Sequence, residues 1–284
     1  MKKILILVLT LAFYLSSHVY GQVKVPPPSP AATVTTVVGL SDIKVEYSRP
    51  KAKGRKIFGN GNEYVVPFGE LWRTAANDGS KVTFADDVTF GNVNVPKGTY
   101  LLLSIPDAQN WTIILYKDVA MGGNTDTYDQ SKDQMRVVIK ADKLTEKVET
   151  FTIEIADLSE NGRTANLQMM WEYTSVKVPI SVDIDAKVMR SIELNTKIVP
   201  NNLVVAATYY LENGKDLNQA LRWINTALES SPDAFWMLYH KARIQKALDD
   251  KIGALKTSKA SWEQAKKAGR EDFQRMNEEL QKSL

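Results

Sequence analysis

The chain has 284 residues, 44% hydrophobic and 24% charged, the balance of an ordinary soluble globular protein with room for one large domain or two smaller ones. It contains no cysteine, which excludes disulfides, thiolate catalysis and zinc–thiolate sites. Net charge is +3, with 18 basic and 21 acidic residues in Gln22–Asp185 and 16 and 12 in Ala186–Leu284, so neither part has the one-sided balance of a nucleic-acid binder.

Residues 1–21 read as a secretory signal peptide. Lys2 and Lys3 form a positive start, Ile4 to Leu15 is apolar apart from Thr10, and Val19 and Gly21 are small residues ahead of cleavage before Gln22. The apolar run falls short of the ~20 residues that span a bilayer, so the expectation is a periplasmic or secreted protein with no membrane span. Residues 22–32 are a Pro-rich spacer, suited to polyproline II.

From 33 to 185 the period is two. Ile43, Val45 and Tyr47 alternate with charged residues, as do Val82 with Phe84, Val93 with Val95, and Phe151 with Ile153 and Ile155. Leu167, Met169, Trp171 and Tyr173 alternate too, followed by Val176, Val178 and Ile180. Tyr100–Ile105 and Trp111–Tyr116 are nearly continuous apolar runs. Pro96-Lys97-Gly98, Asp107–Asn110 and Asn161-Gly162 supply the turns. About nine or ten short strands without intervening helices predict an antiparallel β-sandwich.

Residues 186–284 turn helical. Ala220, Leu221, Ile224, Ala227 and Leu228 make one apolar stripe, stopped at Pro232, and small residues recur at Ala254, Ser258, Ser261, Ala265 and Ala268. Phe273, Met276 and Leu280 suggest a final capping helix. Leu211, Ala220, Ile224, Ala227 and Pro232 stand at tetratricopeptide spacings, and Ala254 follows Ala220 by one ~34-residue period, so the region resembles a tetratricopeptide (TPR) array. Two units are fewer than the roughly three that usually stand alone, so one face of this tail is expected to dock, on the sandwich or on another subunit. The fold class is thus mostly β plus α: a β-sandwich followed by a short TPR-like helical hairpin array.

Few residues suit catalysis. After leader removal only His240 remains as an imidazole, with no second histidine to complete a metal site or charge relay. Asn124, Asp126, Asp129 and Asp133 cluster in residues 122–133 but miss the calcium-loop spacing, and polar turn formation explains them as well. No cofactor and no metal is called for. Residues 49–56 carry five cations in eight, read as a solvated connection or as a landing site for an anion. Trp72, Arg73 and Asn77 combine a ring that stacks, a guanidinium that pairs and an amide that orients, a set suited to a sugar or carboxylate. Trp72 equally suits the core.

Tyr47-Ser48-Arg49-Pro50, the run 53–59 (KGRKIFG), Val66-Pro67-Phe68-Gly69, Trp72-Arg73-Thr74, Asn77, Gly98-Thr99-Tyr100 and Trp111-Thr112-Ile113-Ile114 together resemble the domain of unknown function 2911, over about Ala31 to Ser175. The resemblance implies an exported protein of Bacteroidetes type and no established activity. One departure is the pair Ala75-Ala76, where the family pattern WRTGAN has a glycine, expected in place of Ala76; the added methyl narrows any backbone-lined site.

Two functions follow, beside a third reading in which the domain serves mainly as a scaffold for self-association. The first is a non-catalytic module that binds an anionic, glycan or peptide ligand through Tyr47, Arg49, Trp72, Arg73 and Asn77, with a protein partner on the TPR-like tail. The second is an envelope or glycan hydrolase or lyase that uses carboxylate, Tyr and Lys groups, with Glu63, Glu70 or Asp78 near Tyr47.

Overall fold

A computed structural model describes residues 25–195 and 200–284. The expected signal peptide and His18 lie outside the described residues. The chain divides into two compact units, one ending at Asp183 and one beginning at Ile184.

The first unit is an antiparallel sheet of nine strands, in the order β1 (Ala31–Val38), β2 (Ser41–Ser48), β5 (Ser80–Phe84), β8 (Gly98–Ile105), β9 (Asn110–Tyr116), β10 (Asp133–Ala156), β11 (Thr164–Ser181), β6 (Val88–Phe90) and β7 (Val93–Val95). A separate two-residue parallel pair joins β3 (Phe58–Gly59) to β4 (Val66–Pro67). The sheet does not close. Instead β10 passes from one layer to the other: Asp133–Lys140 pairs with β9, and Ala141–Ala156 pairs with β11. Register shifts between Lys143 and Thr152 give this 24-residue strand its irregular middle, and opposite them Glu172 on β11 takes a φ of 53°. The two layers then face each other as a sandwich. Tyr47 reaches across to donate to the carbonyl of Ile153 at 3.1 Å, and Phe84 meets Phe90 at 5.6 Å between ring centroids.

Most of the period-two residues point inward as expected; Val93 and Tyr173 are exposed, Tyr173 lying just past the irregular Glu172 of the last strand. Ile43, Val45, Val82, Leu102, Ile113, Leu115, Ile153, Leu167, Val176 and Val178 are all fully buried. The continuous runs of β8 and β9 have a different cause, since both of their faces are covered. Leu101, Leu103, Ile114 and Tyr116 form a second cluster on the outer face, roofed by Leu71, Val119, Met121 and Tyr128.

Two strands differ from expectation. β1 takes in Ala31 and Ala32, the end of the spacer, and the stretch 133–148 is strand although its charged sequence shows no buried periodicity. Both lie where one face stays wet, so the apolar alternation that marks a strand is missing. Long strands thus replace several of the short ones anticipated.

The second unit holds six helices among the described residues: α1 (Asp185–Asn195), α2 (Pro200–Glu212), α3 (Leu217–Ser230), α4 (Phe235–Ala247), α5 (Lys251–Lys267) and α6 (Glu271–Lys282). Asp216 caps α3 by accepting from the N–H groups of Asn218 and Gln219, and Asp250 caps α5 through Gly253. The stripe Ala220, Ile224, Ala227 and Leu228 packs with Leu203, Val204, Ala207, Met237 and Ile244. Ala254, Ser258, Ser261 and Ala265 are fully buried, the small-residue side on which neighbouring helices approach. No helix among the described residues is long and apolar enough to cross a membrane.

Candidate functional site

The loop after Leu71 is laid along the free edge of β8. Trp72 and Ser104 exchange main-chain hydrogen bonds at 2.7 and 2.9 Å, continuing the ladder where β5 stops. Fully buried Thr74 shares a 2.8 Å hydrogen bond with the Ser104 hydroxyl, and the Ser80 hydroxyl donates to the Thr74 carbonyl. These anchors hold a tight reversal in which Thr74, Ala75 and Asn77 have φ of 49°, 118° and 55°. Three such residues in four mark a strained segment that its surroundings over-determine. The glycine-like backbone is at Ala75, not at Ala76 as expected, and WRTGAN laid on Trp72–Asn77 also places its glycine there. The methyl of Ala75 is buried beneath the loop.

The facing wall is residues 118–133, three short 3-10 turns. Asp118, Asn124 and Asp129 each cap one turn, accepting from the N–H groups of Ala120, Asp126 and Ser131. The Lys132 ammonium at 2.8 Å holds the Asp118 carboxyl below its usual range, and main-chain donation from Ser131 does the same for Asp129. Tyr128 donates to the Asp133 carboxylate and accepts from Arg136 at 2.6 Å. Burial first, and then that carboxylate, push its hydroxyl up to about 12. Asn124, Asp129 and Asp133 therefore build and lock the loop, the polar-turn role that their spacing allowed. Among the described residues no three His, Asp or Glu gather as a metal site.

Between these walls lies a cleft of about 660 Å³, lined by Leu71, Trp72, Arg73, Asn77 and Asp78 on one side and by Ala120–Asp126 on the other. Two glycines let the walls meet. Gly122 takes φ 57° and ψ −130°, which a side chain resists, and a Cβ on Gly123 would sit 2.0 Å from the Asn77 carbonyl oxygen. Arg73 bridges the walls, donating from Nη1 to the Gly123 carbonyl at 3.0 Å and to that of Asn77 at 3.5 Å. Among the described residues no carboxylate pairs with it.

The five residues expected to form one site are divided. Arg73 and Asn77 line the cleft, and Asn77 is oriented by donation to Ser48 at 3.0 Å and to the Ser29 carbonyl at 3.3 Å. Trp72 touches the cleft, but its ring lies in an aromatic core, stacked on Trp171 at 6.1 Å and edge-on to Trp111 and Phe151. Tyr47 is buried and Arg49 donates to the Phe151 carbonyl and the Thr152 hydroxyl; neither lines the cleft. Of Glu63, Glu70 and Asp78, only Asp78 lines it, joined by Asp126. Elsewhere in the cationic run Arg55 donates to the carbonyls of Ala52 and Lys51 and the Lys53 main-chain N–H donates to Glu149, while Lys51, Lys53 and Lys56 are exposed. His240 lies in α4, 3.3 Å from the Thr208 hydroxyl. The Gly122-Gly123 pair was the sequence signal for the second wall, and spacing alone does not show which loop it meets.

No curated protein and no solved structure matches the chain. A family profile described as a protein of unknown function (DUF2911) matches residues 29–180, which takes in β1 to β10, nearly all of β11, and both walls of the cleft. The chain belongs to the DUF2911 family.

Proposed function

We propose that the chain is an exported, non-catalytic binding module whose cleft takes a polar ligand bearing an anionic group, such as an acidic glycan or a peptide carboxylate. Arg73 carries this reading. Its Nη1 is spent on two main-chain carbonyls, which fix the guanidinium without neutralising it. Nε and Nη2 keep the donor geometry that matches a carboxylate in bidentate fashion. The strained loop and the two glycines hold that group in place, and the volume suits a monosaccharide acid or a short peptide end. The leader pattern at residues 1–21 supports export, and a chain without cysteine is compatible with an oxidising compartment. The helical unit, with two successive hairpins α2–α3 and α4–α5, suits a TPR-like protein-docking role.

The test is a thermal-shift screen against neutral sugars, acidic glycans, peptides and divalent cations, since a ligand that binds the native state raises its melting temperature. An acidic ligand is expected to stabilise the chain. Arg73→Ala should remove that stabilisation while lowering ligand-free stability by only about 1 kcal/mol, the loss of exposed main-chain hydrogen bonds. A variant that melts several degrees lower, with no ligand class stabilising the parent, would make Arg73 a loop brace. The hydrolase reading has one observation in its favour, that Asp78 and Asp126 share the cleft. Turnover of a glycan that Asp78→Asn abolishes would replace the binding reading with that one.

A further inference from the structure

We infer that β1 is a self-association edge, on which a second copy of this chain adds its own β1 in antiparallel register about a two-fold axis through Thr35. The strand is AATVTTVV, eight residues with neither charge nor proline, all eight paired with β2 from Ala31↔Ser48 to Val38↔Ser41. Its hydrogen-bond phase can be read from both ends. Arg49 N–H donates to the Pro30 carbonyl at 2.8 Å, so even-numbered residues face β2. Gly39 N–H donates the other way, to the Gly162 carbonyl at 2.6 Å. Ala31, Thr33, Thr35 and Val37 therefore direct their N–H and C=O groups outward, and no main-chain partner meets them among the described residues.

Proteins normally blunt such an edge with lysine, proline, a bulge or brevity. The opposite edge of this sheet is blunted in that way: β7 is three residues long and runs into Pro96. β1 has none of these devices. A second copy is the occupant that fits because this uncharged edge can pair with itself about Thr35, one of its outward residues. Pairing Thr35 with Thr35 of the second copy sets Thr33 against Val37 on either side, so three of the four outward residues find outward partners and Ala31 is left at the end. The register ends symmetrically, since the next position would meet Gly39, whose N–H is already taken. Side chains agree with the backbone. Thr33, Thr35 and Val37 are exposed on one face, with Val37 at 54%. The two-fold axis brings Thr beside Thr and Thr beside Val, both favourable cross-strand pairs with no like charges opposed. With β7 too short to add a further copy, the assembly closes at two.

The experiment is sedimentation equilibrium of the purified chain, with Thr35→Lys and Thr35→Glu measured alone and mixed. Both substitutions leave the β1–β2 main-chain hydrogen bonds in place, but Thr35 stands opposite Lys44, so Thr35→Lys should melt slightly below Thr35→Glu, with both variants folded. The parent is expected to form dimers. Each variant alone should weaken association by about tenfold or more, because like charges face each other across the axis, and an equimolar mixture should restore dimers. A parent that stays monomeric at high micromolar concentration overturns the inference, as do single variants that dimerise like the parent or a mixture that stays monomeric.

Discussion

The sandwich unit centres on large rings, whereas the inward face of α5 in the helical unit is built of small residues. In the first, Phe58, Trp72, Trp111, Phe151 and Trp171 meet with centroids 4.9 to 6.1 Å apart. In the second, the deepest positions of α5 are Ala254, Ser258, Ser261 and Ala265. A polar network joins α5 to α6 there. The fully buried Asn277 amide donates to the Ser261 hydroxyl at 2.9 Å and accepts from Ser258 at 2.9 Å. Stacked sheets lie about 10 Å apart, a gap that only bulky side chains fill. Helices can close to about 8 Å when the contact residues are small. Small residues bury little apolar area, so the contact of α5 with α6 leans on satisfied hydrogen bonds, while Leu203, Ile224, Met237 and Ile244 supply apolar burial elsewhere in the unit.

Three substitutions or conditions test that contrast. Trp171→Ala removes the ring at the centre of the aromatic cluster and should cost about 3–5 kcal/mol, read by chemical unfolding. A loss under about 1 kcal/mol would mean that the rings are interchangeable filler. Asn277→Ala removes one hydrogen-bond partner from each of two buried hydroxyls, leaving Ser261 the Phe235 carbonyl and Ser258 the Gln281 amide, and should cost about 1–3 kcal/mol in the helical unit. An unchanged unfolding midpoint would show that those hydroxyls find other acceptors.

The smallest effect concerns pH. Burial first, and then the nearby Arg243, hold the His240 imidazole below its ordinary 6.5, while Glu212 opposes them. A histidine with a lowered folded-state value binds protons more readily when unfolded. Its contribution is therefore complete above 6.5 and falls away as pH drops from 6.5 through the lowered value. The urea midpoint of the helical unit should drop between about pH 7.5 and about pH 5, and His240→Gln should flatten that slope. An identical slope in the variant would assign the pH response to the carboxylates instead.

The cleft shows where sequence reasoning reaches its limit. Arg73 and Asn77 could be singled out because a guanidinium and an amide in a loop have few structural uses. Tyr47 and Arg49 looked equivalent to them, and their placement differs because the β10 strand that receives them is more than one hundred residues away. Trp72 shows the converse: one ring can stack on a ligand or on Trp171, and the choice depends on which rings the opposite layer brings. Gly122-Gly123 read as part of a polar turn, since nothing local reveals that Asn77 presses against it.

Alternation, turn residues and helical stripes were enough to establish a β unit followed by a helical one, because each reflects contacts within a few residues of chain. The division of the five candidate residues, the bend of β10 between layers and the open edge of β1 were settled by tertiary pairing. They depend on strands meeting across long stretches of chain, and hydrogen-bond phase, unlike hydrophobic period, leaves no mark in the order of the amino acids.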